Sequence, residues 1–154
     1  MKNEIRYIEL KSGFNDDGPA WIAEVAYSQS GQTLYFNDMA LKKLKSPGAW
    51  GANHFDIETG EEYWVSGIKT NGQDRHWAGG GTIMIDKGIV DQYLKLVGLS
   101  ALDKSRYELV DINKNFDKSR FHDLENAHGR PVRYQGMPYH RWHWDNNRSK
   151  LIKE

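Results

Sequence analysis

From Ile5 to Leu10 apolar and polar residues nearly alternate, the period of two that a half-buried strand shows. Trp21 to Tyr27 repeats the pattern. Ser30-Gly31 then turns the chain into Thr33 to Phe36, so these two segments are expected to form a hairpin. Asp38 to Leu44 fits either a helical turn or a short strand. Ser46 to Asn53, with Pro47, Gly48 and Gly51, reads as loop. His54 to Ile57 and Glu61 to Lys69 read as two strands joined by Glu58-Thr59-Gly60, with Gly60 supplying the positive φ of the turn. A two-residue loop sets Phe55 opposite Trp64, and a three-residue loop with a bulge sets it opposite Tyr63. Either register predicts an aromatic cross-strand pair. Asn71-Gly72 predicts a type I′ turn that places Lys69 opposite Asp74 and starts a returning strand from Gln73 to Trp77.

Past the flexible Gly79-Gly80-Gly81, Thr82 to Ile85 is a short apolar strand, and Asp86 is placed to cap a helix. In that helix Ile89, Val90, Tyr93, Leu94 and Val97 share one face, and Gly98 follows as the left-handed terminator. Arg106 to Ile112 alternates as a strand would. Asp117 to Asn126 suggests a polar helix with Phe121 and Leu124 inward. Residues 128–154 are polar, with Tyr134, Tyr139, Trp142 and Trp144 as anchors onto the body. The predicted class is α+β, mainly β: a small bent antiparallel sheet or partly open barrel capped by one amphipathic helix, with an irregular C-terminal extension. Residues 1–98 form the β-rich core with its capping helix. Residues 99–154 form an extension packed on it, within a single domain. Strands first and helix after argue against a parallel βαβ arrangement.

Composition narrows the function classes. The 154 residues suit one domain, and six Trp, eight Tyr and five Phe offer a core despite a hydrophobic share of 38%. Net charge is zero, 21 basic against 21 acidic residues, which argues against binding nucleic acid by bulk phosphate neutralisation and leaves only a local patch open. No cysteine is present, so disulfides, thiolate nucleophiles and thiolate metal sites are excluded. That composition fits a reducing compartment. With no signal-like or membrane-length apolar stretch, a cytoplasmic location and no membrane partner are expected.

Three strings are distinctive: Tyr7-Ile8-Glu9-Leu10-Lys11-Ser12-Gly13 with Asp17-Gly18-Pro19-Ala20-Trp21-Ile22, then Asp56-Ile57-Glu58-Thr59-Gly60-Glu61-Glu62-Tyr63-Trp64-Val65-Ser66-Gly67, then Asp74-Arg75-His76-Trp77. Through them the chain resembles, over roughly residues 5–97, a family of small bacterial proteins of unknown function. Some of its members carry the name of a thiamine-dependent deoxyxylulose-phosphate synthase. The resemblance implies no activity and no site residue. The synthase name does not fit the residues. A thiamine diphosphate site needs a Gly-Asp-Gly segment and a downstream Asn pair between large domains, and here Asn146-Asn147 has no Gly-Asp-Gly before it. Thiamine diphosphate is therefore not expected.

Four groups of residues could carry chemistry. His54, Asp56 and Glu58 share one face of a strand, which suits a divalent cation or acid–base work; the plain alternative is a solvated face opposite Phe55 and Ile57. Arg75 and Trp77 share a face near His76 and could hold an anionic or planar ligand, unless Trp77 is core and Asp74 merely pairs with Lys69. If the two hairpins adjoin, His54, Asp56, Asp74 and His76 could converge on zinc, manganese or iron, although no spacing motif supports it. The run Tyr139-His140-Arg141-Trp142-His143-Trp144, with Arg148, could stack bases or grip a peptide, or simply dock on the body. No phosphate loop and no nucleophile elbow is present. The leading expectation is a binding module engaging a protein or small ligand around Trp64, Arg75, His76 and Trp77. The alternatives are a metal-dependent hydrolase using the His/Asp cluster, or a nucleic-acid-binding protein using the C-terminal run.

Overall fold

A computed structural model describes residues 3–12, 18–71, 74, 82–112, 118–121, 142–144 and 151–153. The chain begins as a meander: β1 (Glu4–Leu10), β2 (Ala20–Tyr27), β3 (Thr33–Phe36), β4 (Met39–Lys43), β5 (His54–Asp56) and β6 (Glu62–Ser66). Each strand pairs antiparallel with the next, and β6 returns to pair with β1. The expected bent or partly open sheet is in fact a closed six-stranded barrel. Closure runs through β1, where Ile8 lies opposite Trp21 on one side and Val65 on the other.

Alternation then decides what lies inside. Ile8 and Leu10, Trp21, Ala23 and Val25, Leu34 and Phe36 form one buried cluster with Met39, Leu41, Tyr63 and Val65. Trp21 meets Phe36 edge to face, with ring centroids 5.5 Å apart. β3 and β4 are joined by Asn37-Asp38, both at positive φ (49° and 62°), so Phe36 faces Met39 across a two-residue turn. This settles the segment from Asp38 as a strand.

At β5–β6 the register differs from both expected ones. Phe55 faces Glu62, and His54 faces Tyr63. Asp56 N–H donates to Glu61 O (2.8 Å) and Gly60 N–H to Asp56 O (2.7 Å), so the loop is longer than the tight turn expected there. Gly60 does take positive φ, at 80°. No aromatic pair forms at Phe55 by strand opposition.

The outward face of the barrel is also covered. β7 (Ile83–Asp86) pairs parallel with the first half of β2, putting Met84 opposite Trp21 and Ile85 opposite Ile22. A 3-10 turn (Lys87–Ile89) leads into α1 (Val90–Val97), and β8 (Tyr107–Val110) returns parallel to β7. Asp86 caps the start, accepting from Gly88 N–H at 2.9 Å. Gly98, at φ 71°, ends α1, and Leu94 O receives the N–H of Leu99 at 3.0 Å. The outward Tyr7, Ala20 and Ile22 pack under Ile89 and Tyr93 of this unit. β7–α1–β8 is therefore a parallel βαβ unit added to an antiparallel barrel; the fold as a whole is not a parallel βαβ one, as expected, although the element order did not announce this local unit. The strand after the helix lies along the apolar β7 instead of leaving the sheet. The boundary drawn at residue 98 falls inside this unit.

A second cover comes from Phe121, on a 3-10 turn (Lys118–Phe121), which packs on Ala26, Tyr35, Ala40 and Ile57. Only this turn of the expected helix 117–126 is described. β9 (Trp142–Trp144) and β10 (Leu151–Lys153) pair antiparallel, with Trp144 opposite Leu151. Arg75, His76, Trp77, the triple glycine, Leu124, Tyr134, Tyr139, His140, Arg141, Asn146, Asn147 and Arg148 lie outside the described residues. Among the described residues no helix is long and apolar enough to cross a membrane.

Candidate functional site

The face carrying His54 and Asp56 is turned into the barrel, because their cross-strand neighbours Tyr63 and Leu41 belong to the interior cluster. Both residues are buried, Asp56 completely. The solvated face weighed for this strand is thus replaced by a buried one. Asn53 sets the chemistry of His54. Its Nδ2 donates to Val65 O and its Oδ1 accepts from Val65 N–H, both at 2.8 Å, so the amide orientation is fixed by backbone. Oδ1 can only accept, so at the 2.8 Å contact with His54 it is Nδ1 of the ring that carries the hydrogen. Burial, and then the charge of Lys43, lower the imidazole from 6.5 to about 4, so the ring stays neutral near pH 7. Asp56 Oδ1 accepts from Glu58 N–H at 2.8 Å and shapes the loop. Among the described residues no three His, Asp or Glu side chains come close enough to hold a metal ion.

Asp74 lies on the other side of this wall. It shares a cavity of about 240 Å³ with Trp64, whose side chain leaves β6 on the face opposite Tyr63. β1 contributes Glu9, and Lys11 follows just past its end. The loop before β5 contributes Trp50, and the segment after β6 contributes Lys69. Of the residues expected around a binding surface, Trp64 is here and 36% exposed. The other three lie outside the described residues. The expected juxtaposition of Lys69 and Asp74 is present in a different form: Lys69 N–H donates to Asp74 Oδ1 at 2.7 Å.

Two buried charged side chains, Glu9 and Lys11, lie in the lining of the cavity. Lys11 Nζ sits 2.8 Å from Glu9 Oε2, and Tyr7 O–H donates to Glu9 Oε1 at 2.5 Å, with both charged side chains almost fully buried. A buried pair of this kind is kept together by the loss of solvation that either ion would suffer alone. Asp74 is only 5% exposed. Its Oδ2 has no hydrogen-bond partner among the described residues. Burial pushes its carboxyl above the ordinary aspartate value, against the N–H bond and the charge of Lys69, which lower it.

The rim is aromatic. Trp50 is 61% exposed. It sits at φ 51°, ψ 35° inside a short turn (Ala49–Gly51). A bulky residue in the left-handed region is strained by about 1–3 kcal/mol. The loop is pressed onto β6, since a side chain on Gly48 would overlap the buried Glu62 carboxylate. Sequence reasoning passed over Trp50, Glu9 and Lys11, and took Lys69 only as the partner of Asp74. The one available signal was a tryptophan flanked by Gly48 and Gly51 in a loop that also carries Pro47.

Compared with known proteins, the chain matches no family model, no curated protein and no solved structure.

Proposed function

We propose that this protein is a small binding module whose ligand seats in the cavity between Trp50 and Trp64. One observation carries the reading: two large aromatic side chains stay exposed at the mouth of a cavity whose lining includes buried charged side chains, and one of them is held in a strained backbone conformation. Folding alone gives no reason to hold Trp50 there, because its ring remains in solvent. Rigid aromatic anchors around a few polar groups are what a recognition site uses. The cavity is below the ~300–1,000 Å³ usual for drug-sized ligands, so it suits one small ring or one side chain of a larger partner.

The test is a thermal-shift screen of the full chain against a library of small metabolites. A ligand of this site raises the melting temperature of the wild type and has no effect on Trp50→Ala or Trp64→Ala. Those two variants keep the unliganded melting temperature within a few degrees, because both rings are outside the core. Ligands that stabilise all three proteins equally would place recognition elsewhere and end the proposal.

A further inference from the structure

We propose that the cavity takes a neutral, hydroxyl-bearing ring, namely a single sugar residue, stacked on tryptophan and anchored at Asp74. This rests on the binding-module reading above and names its ligand class. Charge is the first constraint. Glu9 and Asp74 bring carboxyl groups to the lining, and Lys11 and Lys69 bring ammonium groups. A cationic ligand meets two lysines, and an anionic one meets two carboxyl groups. Lys11 is also already engaged by Glu9 at 2.8 Å. A lining balanced in this way favours a ligand without net charge.

Hydrogen bonding is the second constraint. Asp74 Oδ1 is engaged by Lys69 N–H, and Oδ2 has no partner among the described residues. A guanidinium or the edge of guanine binds a carboxylate through two parallel bonds, and this carboxyl does not have both oxygens available for that. A hydroxyl needs one oxygen only. It also both donates and accepts, so it can bridge Asp74 to a neighbouring lysine and suits either protonation state of the carboxyl. Satisfying a buried oxygen that has no other partner among the described residues gives the contact its value.

Shape is the third constraint. The C–H face of a sugar ring is weakly positive and lies against the negative face of an indole. Trp50 and Trp64 offer two such surfaces at the mouth, and the space of about 240 Å³ is that of one ring rather than an oligomer.

The experiment is NMR of the full chain, following the indole N–H resonances. Trp50→Phe and Trp64→Phe assign the two rim signals among the six tryptophans. The probes are the methyl glycosides of glucose, galactose, mannose and N-acetylglucosamine, with tetramethylammonium, inorganic phosphate and guanosine alongside. The expected result is a saturable shift of the Trp50 and Trp64 signals with at least one glycoside and with none of the other probes. Asp74→Ala then weakens that glycoside at least tenfold. Asp74→Asn keeps an acceptor for Lys69 N–H and offers Nδ2 as a donor to the same hydroxyl, so it binds the glycoside more tightly than Asp74→Ala does, which separates loss of the anchor from misfolding. If tetramethylammonium, phosphate or guanosine moves these signals and no glycoside does, the sugar assignment is overturned and the binding module stands. If no glycoside moves them and the metabolite screen above yields only ligands indifferent to Trp50 and Trp64, both fall. Glycoside binding unaffected by Asp74→Ala, or no tighter in Asp74→Asn than in Asp74→Ala, overturns the anchoring role.

Discussion

His54 links the interior of the barrel to pH. Its imidazole titrates near 6.5 in an unfolded chain and at about 4 in the fold, because burial and Lys43 disfavour the cation. Between those values the unfolded chain binds a proton there and the folded chain does not. Stability from this residue is therefore fully present above pH 6.5 and falls as the pH drops, by about 3 kcal/mol on reaching pH 4. His54→Gln removes the titration. Urea denaturation at pH 7 and at pH 4.5 should show a smaller acid loss in the variant than in the wild type. Carboxylates contribute equally to both proteins, so equal losses would mean that His54 is solvated. Asp74 has the opposite sign. Its raised carboxyl favours folding at low pH, and the advantage is lost as the pH rises through its folded value. Asp74→Asn removes that loss, so the variant should gain stability relative to wild type as pH rises from 4 to 7. Chemical denaturation across that range checks it, and a gap that shrinks with pH contradicts it. Neither behaviour was legible from the sequence. Alternation put His54 and Asp56 on one face, but alternation names no winner between water and protein. A closed sheet covered outside by α1 and the Phe121 turn buries polar residues on both faces.

The strands and turns were more readable than the side chains they carry. β1, β2, β3 and α1 are set by local signals that agree with one another: the period of two, Ser30-Gly31, the Asp86 cap and the Gly98 terminator. Two connections misled. Asn37-Asp38 makes a two-residue turn without the glycine that normally announces one, so β4 was ambiguous. The Glu58-Thr59-Gly60 segment looks like a tight turn, yet Asp56 Oδ1 and Thr59 hold a longer loop, with Glu61 N–H donating to Thr59 Oγ1 at 3.2 Å. That extra length shifts Phe55 away from its aromatic partners and onto Glu62. The Asn37-Asp38 turn carries a prediction. Asp38 stands at φ 62°, where a glycine has no side-chain penalty and a type I′ turn prefers one. Asp38→Gly should raise stability by about 0.5–1 kcal/mol, read as a higher urea midpoint with an unchanged slope. Gly98→Ala, at φ 71° on the end of α1, should lower it by about 1 kcal/mol. If both substitutions shift the midpoint in the same direction, the positive-φ reading of these turns is wrong.

The barrel and the βαβ unit are one cooperative body, because the outward face of β1 and β2 is as apolar as the inward one. Tyr7, Ala20 and Ile22 have essentially no exposure, and what covers them is Ile83, Ile85, Ile89 and Tyr93. Tyr93 and Tyr107 also share a buried hydroxyl contact of 2.8 Å, tying α1 to β8. Removing the unit uncovers a tyrosine, an isoleucine and the parallel edge of β2 together, an aggregation hazard as well as a loss of burial. Interior and exterior therefore unfold together. In the full chain, the indole N–H resonance of Trp21 reports the barrel interior and the backbone amide resonances of Val90–Val97 report α1; their urea transitions should coincide. A fragment ending at residue 81 should give no native spectrum and should associate, while one ending at residue 126, past β8 and the Phe121 turn, retains the fold. An α1 transition that precedes loss of the Trp21 signal, or a monomeric folded fragment 1–81, would show the barrel to be self-sufficient and the helix an accessory. The cavity would then belong to the barrel alone, since the described residues that line it come from β1, the loop before β5, β6 and the segment just after it.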